Sequence, residues 1–510
     1  MRKGDKAISI PLLDKSLDKN IADLRARLGM NTDFVITEFE YASKRICLCY
    51  YQSLINVNQL NQFVLRPLHE KSEELVELPS DGFDLLEKLK GQFPLEETRH
   101  FDDWDSALEQ MMYGKALLLV DGEPSFLSIA AEKVEKRNVT APDTEQSVIG
   151  PKESFVEDLG TNITLIRQRL RDPHLYVETI EVSRRGKQQV AIFYLVDVAN
   201  RDVVAEVKKR IHAIETDSLI GQVHLLELIE DNSYSLFPQT RPTERPDVAC
   251  SYLLEGSVIL MVNGAAHALV VPITFFQLLD TVDDYYSSWQ YSTLIRMVRM
   301  VSLLMSIAVP GLYLSLVAYN PELIPTRLVI SMDAARVKVA LPIVLEIFIM
   351  EIMIEILREA GVKLPKPVGQ AVSIIGGLVI GEAAVNANLV SPVTVVVVAL
   401  TAISSFTAPV YLLGITYRIL RFFLLICSSV LGLYGFLLGL FVIHAHASRL
   451  YSFGIPYLAP LSPLRVRDWM DTLIRVPFKK LTHRPSFIVP SKETKSKELP
   501  MTLSQKNKRR

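Results

Sequence analysis

Residues 343–361 read IVLEIFIMEIMIEILREAG. Glu346, Glu351 and Glu355 sit in a background as apolar as a membrane span, and Arg358 and Glu359 close the stretch. A carboxylate facing lipid at mid-bilayer costs roughly 3 kcal/mol on insertion scales, so three exclude a lipid-exposed span. At about 100° per residue, a helix here places Glu351, Glu355, Arg358 and Glu359 on one face, with Glu346 nearly opposite Glu355. Two readings follow. The stretch is an interfacial or re-entrant helix with Glu355 and Arg358 paired along it, or its acidic face borders an ion pathway. In a symmetric oligomer each glutamate of that face becomes a ring, which favours cations. Glu346, on the other side, is expected to pair with Arg336 or Lys338.

The surrounding chain decides what positions this stretch. Its 510 residues are 49% hydrophobic and 22% charged, with formal net charge −2 and mean hydropathy +0.22. That hydropathy is high for so many charges and indicates two unlike parts. The charge balance offers nothing to nucleic acid. Residues 1–290 scatter their charges, whereas residues 300–321, 383–417 and 422–448 carry no Asp, Glu, Lys or Arg. Runs of about 20 uncharged residues match a hydrocarbon core. Spans are expected at 300–320, 368–390, 393–413 and 422–443, with 343–360 as an acidic membrane-embedded helix. Pro310 and Pro409 fall inside two of them, which membrane helices tolerate. A polar, basic tail is expected over 449–510, with its ending KETKSKELPMTLSQKNKRR (492–510) of unstructured character. Arg296 and Arg299 before the first span fit a cytoplasmic N-terminal region by the positive-inside rule. If 343–360 crosses fully there are five spans and the tail ends outside. If it does not, there are four and the tail ends inside, but Arg418, Arg421, Lys363 and Lys366 then lie outside. The N-terminus lacks the apolar segment of a secretory signal.

The first half carries a repeat. GKALLLVDGEPSFLSIA (114–130) and GSVILMVNGAAHALVVP (256–272) align without a gap. Each reads strand, Asp-Gly or Asn-Gly, strand, which suits a type I′ hairpin. The same shift of about 142 residues superposes strands near 34–39 and 45–52 on strands near 175–183 and 187–196, and a helix near 58–66 on one near 200–210. The expected fold is an α/β N-terminal region of two related β-β-α-α-β-β subdomains, 1–131 and 151–290, joined by a polar linker at 132–150. An all-α polytopic membrane domain follows over 291–448. No P-loop, dinucleotide fingerprint, nucleophile elbow or His-Glu-x-x-His is present, so no enzyme activity, cofactor or metal is expected. Cys47 and Cys49 share one strand face and read as buried small side chains; Cys250 and Cys427 complete the set without a disulfide or zinc pattern.

Within 368–390, Gly369, Ser373, Gly377 and Gly381 recur every fourth residue. This small-residue stripe suits close helix packing, or packing of copy against copy around an axis. Gln370, Glu382, Asn386 and Asn388 are polar groups in a span and hence pathway candidates. His444 and His446 end the last span and read as interfacial.

The wording SLFPQTRPTERPD (235–247), DDYYSSWQYSTLIRMVRM (283–300), LIPTRL (323–328), EILREAGVKLPKPVGQAVSIIGGLVIGEAAV (355–385) and SPVTVVVVALTAISSFTAP (391–409) closely resembles the A subunits of the GerA family of spore germinant receptors. The stretches SFVEDLGTNITLIRQRLRDPHL (154–175) and LELIEDNSYS (226–235) belong to the same resemblance. The paralogous stage V sporulation protein AF shares the architecture, but DDYYSSWQYSTLIR looks more like the receptor A subunits. The resemblance implies a multi-pass protein of the spore inner membrane. It also implies a permease-like B subunit that senses the nutrient, a lipoprotein C subunit, and a homo-oligomer, proposed to be a pentamer, around an ion-conducting pore. A signalling scaffold without conduction and a secondary transporter component are the competing readings. A repeat in the soluble half rather than among the spans counts against the transporter.

Overall fold

The computed structural model describes residues 13–41, 44–70, 99–133, 142, 144–472, 474–492 and 494–495. Part of the expected linker (134–141 and 143) and the tail beyond 495 lie outside the described residues. The chain divides into two units. The N-terminal unit comprises Met1–Glu230, Pro242–Pro272 and Thr482–Arg510, and the helical unit Asp231–Arg241 and Ile273–Leu481.

In the N-terminal unit the first half runs α1 (Leu17–Leu28), β1 (Phe34–Tyr41), β2 (Lys44–Tyr51), β3 (Arg99–Phe101), α2 (Trp104–Met112), β4 (Lys115–Val120) and β5 (Phe126–Ala130). Short helical pieces at Val57–Leu60, Asn61–Leu65 and Arg66–Glu70 follow β2. The second half runs α3 (Leu159–Arg169), β6 (Leu175–Val182), β7 (Gln188–Leu195), α4 (Arg201–His212), α5 (Gln222–Ile229), β8 (Arg241–Thr243), α6 (Pro246–Glu255), β9 (Val258–Val262) and β10 (Ala268–Val271). The two antiparallel sheets have the orders β1-β2-β4-β5-β3 and β6-β7-β9-β10-β8. β4 and β9 are buried at every residue because both sheet faces are covered, which is why they read as unbroken apolar runs. Cys47 and Cys49 are buried with Leu17, Trp104 and Met111 on one face of the first sheet; Ile46, Leu48 and Leu118 pack with Leu60 and Val64 on the other.

The halves repeat each other bond for bond. The Asp121 carboxylate accepts from the backbone N–H of Leu17, and Asn263 Oδ1 accepts from that of Leu159. Gly122 N–H donates to Lys15, and Gly264 N–H to Glu157. Asn20 clasps Asp14 as Asn162 clasps Val156. In every case the paired positions differ by the 142 residues of the sequence shift.

The expected element order is too simple, however. Each half also has a leading helix and a three-residue edge strand, β3 or β8, too short to show a period. The type I′ turns are also corrected. Only Gly122 (φ 92°) and Gly264 (φ 85°) are left-handed, and longer connections at 121–125 and 263–267 free the Asp121 and Asn263 side chains for the helix N-termini.

Across the halves, Arg167 lies fully buried over the Tyr51 ring. It bonds both Asp33 carboxylate oxygens at 2.7 Å and Asn31 Oδ1 at 2.9 Å. Ser53 Oγ adds a third bond to Asp33 at 2.6 Å, so the buried carboxylate keeps no bare oxygen.

The helical unit contains α7 (Trp289–Tyr319), α8 (Thr326–Arg336), α9 (Ile343–Lys363), α10 (Lys366–Asn386), α11 (Pro392–Ser405) and α12 (Tyr411–Arg449). Among the described residues, α7 and α12 are long and apolar enough to cross a membrane. Arg296 and Arg299 are not loop charges: both are buried on α7 and bond Asp284 at 3.0–3.1 Å. Burial pushes the Asp284 carboxyl up, but the bonds and charge of Arg299, helped by Arg296, hold it below the usual carboxylate value. Pro409 lies between α11 and α12 rather than inside a span, so the span expected at 393–413 ends early.

The span expected at 422–443 is also not one helix. Gly432 has φ 57° and ψ −135°, and beyond it Gly435 lies against the Cys427 carbonyl and Gly439 against Leu424 and Cys427. Residues that far apart in a straight helix are more than about 10 Å apart. α12 is therefore a hairpin of two antiparallel arms. Nothing charged marks the reversal; the glycines do, by letting backbones touch. The described residues of 449–491, expected only to be polar and basic, are folded, and of the ending expected to be unstructured only 492, 494 and 495 are described. β11 (Tyr451–Ser452) and β12 (Ile455–Pro456) pair, and Phe487 and Ile488 are buried. Ser491 N–H then donates to Val198 of the N-terminal unit at 2.8 Å.

Gly432→Ala is expected to cut the yield of folded protein. Its backbone conformation excludes a Cβ at a cost of about 1–2 kcal/mol, and Tyr319 already occupies the space. Gly414→Ala, where a Cβ makes ordinary contact with Ala408, serves as the control. Equal yields of detergent-extracted protein from both variants would refute the hairpin.

Candidate functional site

α9 positions the opening carboxylates, and each meets a partner from another helix. Glu346, in the first turn, is fully buried. Arg336 Nη2 at the end of α8 donates to its Oε1 at 3.2 Å; Ser391 N–H and Thr394 Oγ1 at the start of α11 donate to its Oε2 at 2.9 and 3.0 Å. The expected Arg336 pairing is thus present. Ser391 also caps α11 by accepting from Thr394 N–H, so one carboxylate fixes three helix ends.

Glu351 and Glu355 meet the first arm of α12. Arg421 Nε lies 3.2 Å from Glu351 Oε2, with both side chains 1% exposed. Arg421 Nη2 also donates to Glu355 Oε1 at 3.0 Å, and Arg418 Nη1 to Glu355 Oε2 at 3.2 Å. Arg358 Nη1 stands 3.9 Å from Glu355, while its Nη2 donates to Ser405 Oγ at 2.8 Å and its guanidinium packs 4.9 Å from the Phe406 ring centroid. The cluster holds three guanidinium groups against two carboxylates, a formal surplus of one positive charge. Chemically it is an electrostatic clamp. Glu355, 26% exposed, is its most accessible acid, and Glu351 is sealed.

The remaining candidates lie on α10. Glu382 and Asn386 are exposed, and the side chains of Gln370 and Ser373 lie outside the described residues. The stripe does not act as one surface within the chain: Gly369 lies against Gly361 of α9, Gly381 faces Val395 of α11, and Gly377 meets nothing. The structure brings Glu351 and Glu355 together and leaves Glu382 and Asn386 apart from them.

Arg418 and Arg421 were legible only as residues flanking a span. Their spacing of three matches the four-residue spacing of Glu351 and Glu355 on a facing helix, which is the signal that joins them. Arg421→Met leaves Glu351 buried without a counter-charge and is expected to destabilise the protein by about 3–5 kcal/mol. Arg421→Met with Glu351→Leu should recover most of that loss, because Glu355 keeps Arg418. Thermal unfolding of extracted protein measures both; a double variant as weak as the single would refute the pairing.

A model of the Bacillus/Clostridium GerA spore germination protein family matches residues 22–487. Spore germination protein B1 of Bacillus subtilis (strain 168) is 38% identical over 93% of this chain and 97% of its own length. Spore germination protein KA of the same organism is 36% identical over 96% and 89%. The solved N-terminal domain of the A subunit of the Bacillus megaterium spore germinant receptor GerK3 is 26% identical, with TM-score 0.42, over 52% of this chain and 98% of that one. The chain belongs to the GerA spore germination protein family.

Proposed function

We propose that this protein is the A subunit of a nutrient germinant receptor in the spore inner membrane. It works there with a permease-like B subunit and a lipoprotein C subunit, and its copies assemble around a nutrient-gated ion pathway. The observation that carries the reading is the clamp of Glu351, Glu355, Arg358, Arg418 and Arg421 inside an apolar helical unit. Ionisable groups at such depth mark pathways by default, because burial without function is selected against by its cost. The chain enters the helical unit from the N-terminal unit and returns to it at 482, which supports an even number of crossings. Counting α7, α9, α10, α11 and the two arms of the α12 hairpin as crossings gives an even set, which supports this reading over five spans. The N-terminal unit is then cytoplasmic together with the tail.

In this reading the arginines hold the closed state by neutralising the acidic face, and opening frees Glu355 to attract cations. Glu351 keeps Arg421 in place. Glu382, Gln370 and Asn386 on α10 border the pathway in the oligomer; of the stripe Gly369, Ser373, Gly377 and Gly381, it is Gly377, with open space beside it, that packs copy against copy, while Gly369 and Gly381 pack within the chain. The surplus positive charge favours a second reading, a scaffold that relays nutrient occupancy without conduction.

Planar-bilayer recording of the full receptor with nutrient separates them. Glu355→Gln is expected to lower cation preference, read as a shift of reversal potential toward zero in a salt gradient, while Arg418→Gln raises nutrient-independent opening. Absence of any nutrient-gated conductance in the unsubstituted receptor supports the scaffold, and saturable coupled flux a transporter.

A further inference from the structure

The stretch SLFPQTRPTERPD belongs to the family wording, yet the clamp does not use it. In sequence its start lies within the α/β region, between α5 and β8, but residues 231–241 fold with the helical unit. This loop is rigid in itself. Gln239 is fully buried and grips Asn232 twice: its Oε1 accepts from Asn232 N–H at 3.1 Å and its Nε2 donates to Asn232 O at 2.7 Å. Inside that clasp Asn232 Oδ1 accepts from Tyr234 N–H, and Ser235 Oγ from Phe237 N–H.

The loop meets both ends of the α12 hairpin. The Leu236 carbonyl accepts from Thr416 Oγ1 at 2.5 Å on the first arm. Ser235 Oγ lies 3.0 Å from His446 Nε2 on the second, and the Phe237 ring stacks on the His446 ring at 6.1 Å. At the loop's far end Arg241 donates to the carbonyls of Gln277 and Asp280, which lead into α7. Thr416 stands less than two turns before Arg418 and Arg421 on one helical arm, so movement of the arm end moves the clamp.

We propose that loop 231–241 is the coupling element of this protein. It carries displacement of α5 and β8, with which it is continuous, to both ends of the α12 hairpin and so to the pairing of Arg418 and Arg421 with Glu351 and Glu355. A packed, self-closed loop passes on a displacement that a loose one absorbs. The germination readout of this inference rests on the receptor function proposed above; the exchange readout does not.

The test uses the full chain with three substitutions. Thr416→Val keeps shape and removes the hydroxyl donor, Thr416→Ser keeps the donor, and Gln239→Ala opens the clasp. In spores with normal protein abundance, Thr416→Val and Gln239→Ala are expected to slow nutrient-triggered germination by about fivefold or more, the lower bound for typical couplings between sites, while Thr416→Ser stays near the unsubstituted rate. In hydrogen exchange of the purified full-length protein, Gln239→Ala should speed exchange at 412–420 and 444–453 as well as in the loop. Wild-type germination rates in Thr416→Val and Gln239→Ala, or exchange changes confined to 231–241, overturn the coupling. Should the unsubstituted protein give no nutrient response at all, the receptor reading fails and the exchange arm alone decides the loop's role.

Discussion

Glu346, Glu351 and Glu355 each cost several kcal/mol to bury, and the helices around α9 are arranged so that none is buried alone. Glu346 gathers the end of α8 and the start of α11. Glu351 and Glu355 fix the first arm of α12 by its two arginines. These contacts specify more than they stabilise. Apolar packing is tolerant of register, whereas a guanidinium that must reach a carboxylate is not, so the clamp sets which helix lies where. The same logic recurs in the N-terminal unit, where Arg167 and Asp33 fix one sheet half against the other.

How far the sequence revealed this depended on the kind of signal. The sheet repeat was readable because strands buried on both faces are long apolar runs, and a gapless shift carries them from one half to the other. Even the helix-capping Asp121 and Asn263 fell on that shift. β3 and β8 were invisible, since RHF and RPT are too short to show a period and are strands only because β5 and β10 pair with them. Glu346 with Arg336 was foreseeable because the two lie one short connection apart. Arg418 and Arg421 were not assigned to Glu351 and Glu355, because more than fifty residues separate them and only the tertiary fold closes that gap.

The hairpin in α12 shows a different limit. Hydropathy records how apolar a stretch is and is blind to direction. Residues 422–448 carry no Asp, Glu, Lys or Arg, so a straight span and a reversal give the same profile. What distinguishes them is a position that only glycine can occupy, followed by two more glycines where the returning backbone touches the outgoing one. The reversal also changes the direction of the chain after it, so the second arm of α12 runs back along the first.

That return has a consequence for how the molecule is made. Phe487 and Ile488 are buried, Ser491 bonds Val198 and Ala199, and Lys495 pairs with Glu255, all within the N-terminal unit. The N-terminal unit is thus finished late, because its closing strap is encoded after α7 to α12. Until then the surface those residues cover stays open to water. Completion of the N-terminal unit therefore reports that the helices encoded between its parts have already been made.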